Sequence, residues 1–121
     1  MAFLADAVLD AALQVLTSNV TTVYICSQEP TSYAEASSTY ALGSKSSPTI
    51  SSPTNGDSSG RKVTCSAFSD GSVSATGTAT HFAWTSGSVL YATRALASSQ
   101  SVTSGNTFSL TAHDIEIQDP A

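Results

Sequence analysis

The first apolar run of the chain has the period of a helix. Leu4, Val8, Ala11 or Ala12, and Val15 recur at three- and four-residue spacing, and Leu9, Leu13 and Leu16 widen the stripe. Asp6, Asp10 and Gln14 stand on the opposite side at strict i, i+4 spacing. The pattern predicts an amphipathic helix over residues 3–17, with its aspartates toward the end where the helix dipole favours negative charge. Thr17-Ser18-Asn19 is the expected stop, because short polar side chains compete there for backbone hydrogen bonds. So short a helix is marginal alone in water. Its apolar side must therefore lie on a sheet or on a neighbouring subunit.

After the helix the chain reads at once as a strand. Val20 to Ser27 is nearly all β-branched or aromatic and carries apolar residues on both faces, as expected of a central strand covered on two sides. Glu29-Pro30 breaks it. Thr31 to Ala36 has the makings of one helical turn, with Thr31 as cap and Glu35 close to the capping-box offset. Residues 37–60 are the least regular part, dominated by Ser, Thr, Pro, Gly and Asn, with turn signals at Pro48, Pro53 and Asn55-Gly56-Asp57. They are expected to form a polar arm or loop with a short strand embedded near Thr49-Ile50. Such an arm can lie on a neighbouring subunit or pack on its own domain.

From residue 61 to 118 the sequence reads as an antiparallel β region. Arg61–Phe68 alternates, with Val63, Cys65 and Ala67 on one face and Lys62, Thr64 and Ser66 on the other. Asp70-Gly71 is expected to turn the chain into a strand at Ser72–Thr76. Two β-rich arms, 78–85 and 89–96, flank Thr85-Ser86-Gly87-Ser88 and predict a hairpin. Ser98–Asn106 reads as a further polar turn, and Thr107–Ala112 and Asp114–Gln118 as the last strands. Turn signals about every ten residues predict a mainly β (α+β) fold, an antiparallel β-sandwich or barrel-like domain with one N-terminal amphipathic helix. Residues 1–121 are expected to form a single domain.

Composition sharpens this picture. The chain is 40% apolar but only 11% charged, and almost a third of it is Ser or Thr. Hydroxyl-rich, charge-poor strands fold while offering neighbours a flat polar surface. A net charge of −5, with Lys45, Arg61, Lys62 and Arg94 scattered, argues against nucleic acid as a partner. No stretch reaches the roughly 18 apolar residues of a membrane span. The N-terminus lacks a basic region, and Asp6 and Asp10 interrupt its apolar run, so no signal peptide is expected. Asn19-Val20-Thr21 matches a glycosylation acceptor pattern by chance in a chain without a secretory signal.

Candidate chemistry is sparse. Cys26 and Cys65 lie in apolar strand-like runs and read as small buried hydrophobes, with a single bridge between strands as the alternative. Neither has a second Cys or His at ligand spacing, and the turn aspartates 57, 70, 114 and 119 do not follow a calcium-loop spacing, so no metal and no cofactor is expected. His81 and His113 are the two imidazoles. With so many serines available, a catalytic triad proposed from composition carries no information. No catalytic residue is assigned, and no enzymatic activity is expected. Gly71, Gly77, Gly87 and Gly105 read as turn glycines supplying positive φ. Phe82, Trp84, Tyr91 and Phe108 form the aromatic set of the β region, read chiefly as core or subunit interface.

The ordered features of the chain also form a pattern. After the apolar helix come Val-Tyr-Ile-Cys-Ser-Gln-Glu-Pro (23–30), Tyr-Ala-Glu (33–35), Gly-Arg-Lys-Val (60–63) and Gly-Thr-Ala-Thr-His-Phe-Ala (77–83). Leu-Tyr-Ala-Thr (90–93), Ser-Gly-Asn-Thr (104–107) and Asp-Ile-Glu-Ile (114–117) complete the series. In this order the chain resembles a group of small virion structural proteins of tailed bacteriophages. The resemblance implies a non-enzymatic particle component, a head decoration (cement) protein, made in the host cytoplasm and residing in the virion. Its partners would be the major capsid protein and copies of itself as a dimer or trimer, with no membrane and no nucleic acid. The rival expectation is a tail or fibre-associated module recognising a host surface glycan through Trp84 and its aromatic neighbours. The candidate interface residues are Leu4, Val8, Val15, Tyr33, Tyr40, Ile50, Trp84 and Tyr91.

Overall fold

The leucine row decides how the chain packs. In the computed structural model, which describes residues 4–57 and 59–118, α1 spans Asp6–Asn19 and buries Leu9, Leu13 and Leu16. Val20 continues the same row into the core. At 3.6 residues per turn Val8 and Val15 lie roughly 130° round the helix from that row. They are 53% and 45% exposed. The helix therefore starts and ends later than the sequence pattern predicts, and the broad stripe divides into a buried leucine face and an exposed valine flank. The leucines win because each carries one methylene more than a valine, worth about 0.8 kcal/mol when buried.

Among the described residues nine strands follow: β1 (Thr22–Cys26), β2 (Ala41–Ser46), β3 (Thr54–Asn55), β4 (Arg61–Cys65), β5 (Phe68–Val73), β6 (Gly77–Thr85), β7 (Leu90–Val102), β8 (Thr107–Leu110) and β9 (His113–Ile117). They form a curled six-stranded antiparallel sheet ordered β7-β6-β1-β2-β5-β8 and a three-stranded sheet ordered β3-β4-β9. The fold is mainly β, a half-barrel with one N-terminal helix, as the turn spacing predicts. β1 is central and covered on both faces. Val23 and Ile25 join the main core with Leu13, Leu16, Val63, Phe82, Trp84, Phe108 and Leu110. Cys26 points the other way, into a second cluster with Ala36 and Ala83 packed by Tyr24, Tyr40 and Leu90.

Residues 37–60 are not an arm. The turn at Tyr33-Ala34 runs into a five-residue π-helical turn, Glu35–Thr39, and β2 follows at once. The Glu35 amide donates to Ser32 Oγ at 3.2 Å, and the Glu35 carboxylate accepts from the Thr31 amide and hydroxyl, both at 2.8 Å. The two halves of a capping box are thus divided, with Ser32 capping the Glu35 amide and Thr31 bound by the Glu35 carboxylate. β2 has little strand propensity of its own (Ala-Leu-Gly-Ser-Lys-Ser). It is held between β1 and β5 by pairing, with Gly43 opposite Val73. A Cβ at Gly43 would stand 2.5 Å from the Ser72 carbonyl oxygen, so only glycine admits β5 here. Farther on, Ser51 N donates to Thr64 O, Ser66 N to Thr49 O, and Ile50 bridges Cys65. The polar segment is folded onto its own domain.

Three further expectations change in the β region. β4 ends at Cys65, and Ala67 is exposed instead of facing the core. β5 runs straight through Asp70-Gly71, with a bulge, because Gly71 serves close approach and not a turn: a Cβ there would overlap the Phe108 ring. Among the four expected turn glycines only Gly105 has positive φ, +89°. β7 extends to Val102, taking in Ser98–Val102, because Gly77–Ala79 of β6 supply pairing partners for Gln100–Val102 after a bulge. The hairpin expected at 78–85/89–96 is present, with Ser86 N donating to Val89 O across its turn.

Candidate interaction surfaces

The helix is clamped to the small sheet through one guanidinium. Arg61, on β4, donates to both carboxylate oxygens of Asp10 at 2.7 and 3.3 Å, to Asn55 Oδ1 at 2.7 Å and to the Pro53 carbonyl at 3.2 Å. Thr17 Oγ1 adds a bond to the Ser51 carbonyl at 2.8 Å. With the leucine face and Asp10 turned inward, the valine flank is the outward face of α1.

The other basic side chains are likewise occupied. Lys45 pairs with Asp70 at 3.0 Å, Lys62 with Asp57 and Asp114, and Arg94 with Asp114 at 2.8 Å. The sequence contains only four Lys and Arg residues, so each is paired within the chain. Burial alone would raise the Asp114 pKa, but Arg94 and Lys62 outweigh it and hold the carboxyl below its usual range. What the surface presents besides is hydroxyls, scattered apolar groups and carboxylates such as Asp6 and Glu29.

Trp84 is completely buried. Its indole N–H donates to His113 Nε2 at 3.1 Å, and the other ring nitrogen, Nδ1, meets the Thr111 carbonyl at 3.0 Å. Because the indole can only donate and the carbonyl only accept, His113 is neutral with its proton on Nδ1. Desolvation first, with Arg94 nearby, holds the His113 pKa below its ordinary value despite the Thr111 bond and Asp114. Both ring nitrogens are therefore engaged, and Nε2 cannot take a proton from a serine without breaking the Trp84 bond. Phe82 stacks close to the same imidazole, with ring centroids 4.2 Å apart. This aromatic group is structural: it pins β9 to β6.

The thiols of Cys26 and Cys65 are free, and burial raises each to about 11. Among the described residues no group of three or more His, Cys, Asp and Glu side chains is placed to hold a metal ion. Nor is any described helix long and apolar enough to cross a membrane.

The eight residues singled out from the sequence divide between surface and core. Val8 and Val15 are exposed on the outer flank of α1, and Leu4 is half-buried just before it. Tyr33 is half-buried in the turn after β1, and it bonds Tyr24, whose pKa burial and that bond raise. Tyr40 packs on the second cluster, while Ile50 and Tyr91 pack half-buried against the main core. Trp84 has no surface left for a partner, which corrects its place among the interface residues. Its neighbours along β6, Ala83 and Phe82, carry the strand through both clusters, so β6 is too central to face outward.

Sequence reasoning missed one feature. The two edge strands of the curled sheet, β7 and β8, approach each other across an open seam. Among the described residues no backbone hydrogen bond joins them. One side chain spans the gap instead, Gln100 Nε2 donating to the Ser109 carbonyl at 3.0 Å, while Arg94 ties β7 to β9 through the Asp114 carbonyl at 2.7 Å. Nothing in a linear pattern marks this seam, because it depends on how far the sheet curls. Comparison with protein families, curated proteins and solved structures finds no match to this chain.

Proposed function

We propose that the protein is a non-enzymatic structural component of a phage virion, a decoration protein that lies on the outer surface of the head. Its partners are the major capsid protein and copies of itself. The observation that carries this reading is the outward flank of α1, where Val8 and Val15 stay 53% and 45% exposed while every basic side chain is consumed in internal pairs. A surface of apolar groups and hydroxyls packs against other polypeptides without the desolvation cost of buried charge. Resemblance to small virion proteins of tailed phages, carried by the ordered segments from Val23 to Ile117, supplies the setting. The fibre-module reading relied on Trp84 as a sugar platform, and burial of that ring removes its support.

Binding of the purified protein to undecorated phage heads, followed by cryo-electron microscopy, tests the assignment. Regular density at threefold or quasi-threefold positions of the capsid is expected, with a buried area of at least roughly 1,000 Å². Replacing Val8 and Val15 together by Asp should weaken that binding at least tenfold. Density confined to the tail, or no binding at all, overturns the proposal.

A further inference from the structure

We propose that His113 is an acid-operated gate on Trp84. On taking up a second ring proton, the imidazole leaves the indole for a neighbouring groove and opens that side of the core to small solutes. The inference goes beyond the assembly role above and does not rest on it.

His113 stands at a polar junction of the two sheets. Among the described residues every hydrogen bond from a strand of the large sheet to a strand of the small one passes through two consecutive residues of β9. His113 Nε2 accepts from Trp84 on β6 at 3.1 Å, and the Asp114 carbonyl and carboxylate accept from Arg94 on β7 at 2.7 and 2.8 Å. Beside the ring lies a groove of about 310 Å³, its walls including Phe82, Leu96 and Leu110 and the charged groups Asp57, Arg94 and Asp114. Trp84 is not among those walls, whereas His113 and Phe82, which both pack on the indole, are. The imidazole therefore partitions a dry indole from an open groove.

In that seat the ring cannot be charged and stay. Nδ1 donates to the Thr111 carbonyl and Nε2 takes the indole N–H, so a proton on Nε2 would turn two donors on each other. Burial first, and Arg94 as well, keep the ring neutral there against the Thr111 bond and Asp114. The groove offers a charged ring what the seat lacks, namely water and the carboxylates of Asp57 and Asp114. Once the ring has gone, the N–H of a wholly buried indole has no protein partner, and water entering from the groove replaces the lost bond.

Each element packed round the ring enters the balance. β6 presents Phe82 and Trp84, which carry no charge. β7 presents Arg94, β9 itself Asp114, and the loop after β3 Asp57. β4 places Cys65 opposite His113 in register, a thiol that burial pushes up to about 11, and Lys62, which pairs with both aspartates. Two cations thus stand with two carboxylates, and an imidazolium in the groove competes with Arg94 and Lys62 for them. The sense of the gate follows. It is neutral and shut above the ordinary imidazole value of 6.5, and charged and open once pH has fallen through the lower folded value.

Acrylamide quenching of Trp84, the sole tryptophan, tests the gate. From neutral pH to below the imidazole range, the quenching constant should rise about fivefold or more in the parent protein. It should stay level in His113→Gln, which keeps an acceptor for the indole and cannot charge. Arg94→Gln removes the cation that disfavours the imidazolium, so its rise should begin at higher pH. Cys26, in the second cluster on the opposite face of β1, should remain protected from a dithiodipyridine thiol reagent throughout. Flat quenching in the parent, or an equal rise in His113→Gln, overturns the inference. So does Cys26 reacting in step with the quenching, since the chain would then be unfolding as a whole. An emission change without greater access leaves the Trp84–His113 bond standing and defeats the gate. Should His113→Gln fail to fold, Arg94→Gln decides, and an onset that does not move to higher pH is the adverse result.

Discussion

His113 shows how one side chain ties chemistry to architecture. Its neutral ring accepts from Trp84 and donates to Thr111, so protonation at Nε2 sets two donors against each other. The groups facing it are Arg94, which disfavours the charged form, and Asp114, which favours it while itself held by Arg94 and Lys62. With the folded pKa below the ordinary 6.5, the unfolded chain binds the proton more readily. The contribution of His113 to stability is therefore complete above that ordinary value and is lost as pH falls through the folded one. Trp84 is the single tryptophan, which makes the event visible. Its emission should change on acidification below the ordinary imidazole range in the native protein and stay level in His113→Gln, whose side chain can still accept from the indole without titrating. A pH-independent spectrum in the parent protein would remove the assigned hydrogen bond.

At the scale of elements, α1 divides its labour between two faces. The leucine face is core: Leu13 is 1% exposed and packs among residues of both sheets. Leu13→Ala should lower stability by about 2–5 kcal/mol, measured as a shifted denaturation midpoint at unchanged slope. Val8→Ser with Val15→Ser should leave the midpoint within about 0.5 kcal/mol, because exposed substitutions away from the core rarely do more. An equal loss in the two experiments would mean that the valine flank is part of the fold and not a docking face. The same helix shows what sequence periodicity resolves. It found the helix and its apolar side, yet it could not rank valine against leucine rows, since both satisfy three- and four-residue spacing.

Across the whole molecule, the positive charge is cancelled locally. The net charge is −5, and the four basic side chains are bound to aspartates on neighbouring elements. No cationic face is left to neutralise phosphates, which is what binding to nucleic acid at ordinary salt requires. The protein should pass through a phosphate-polyanion column without retention even at low ionic strength. Retention that falls with added salt would reveal a basic surface that these pairs do not account for.

The sequence by itself determined the class of fold, the N-terminal α-helix, the central two-faced strand Val20–Ser27 and the hairpin around Gly87. Each is encoded within a window of ten or so residues by period, β-branching and turn chemistry, which act before the chain has folded. The tertiary structure decided the rest. Ala41–Ser46 became a strand because β1 and β5 hold it, and Asp70-Gly71 continued one because Phe108 covers the glycine. Trp84 left the surface to meet His113, twenty-nine residues away, and the seam exists only because the sheet curls. These outcomes depend on which distant surfaces meet, and local propensity is too weak to fix them.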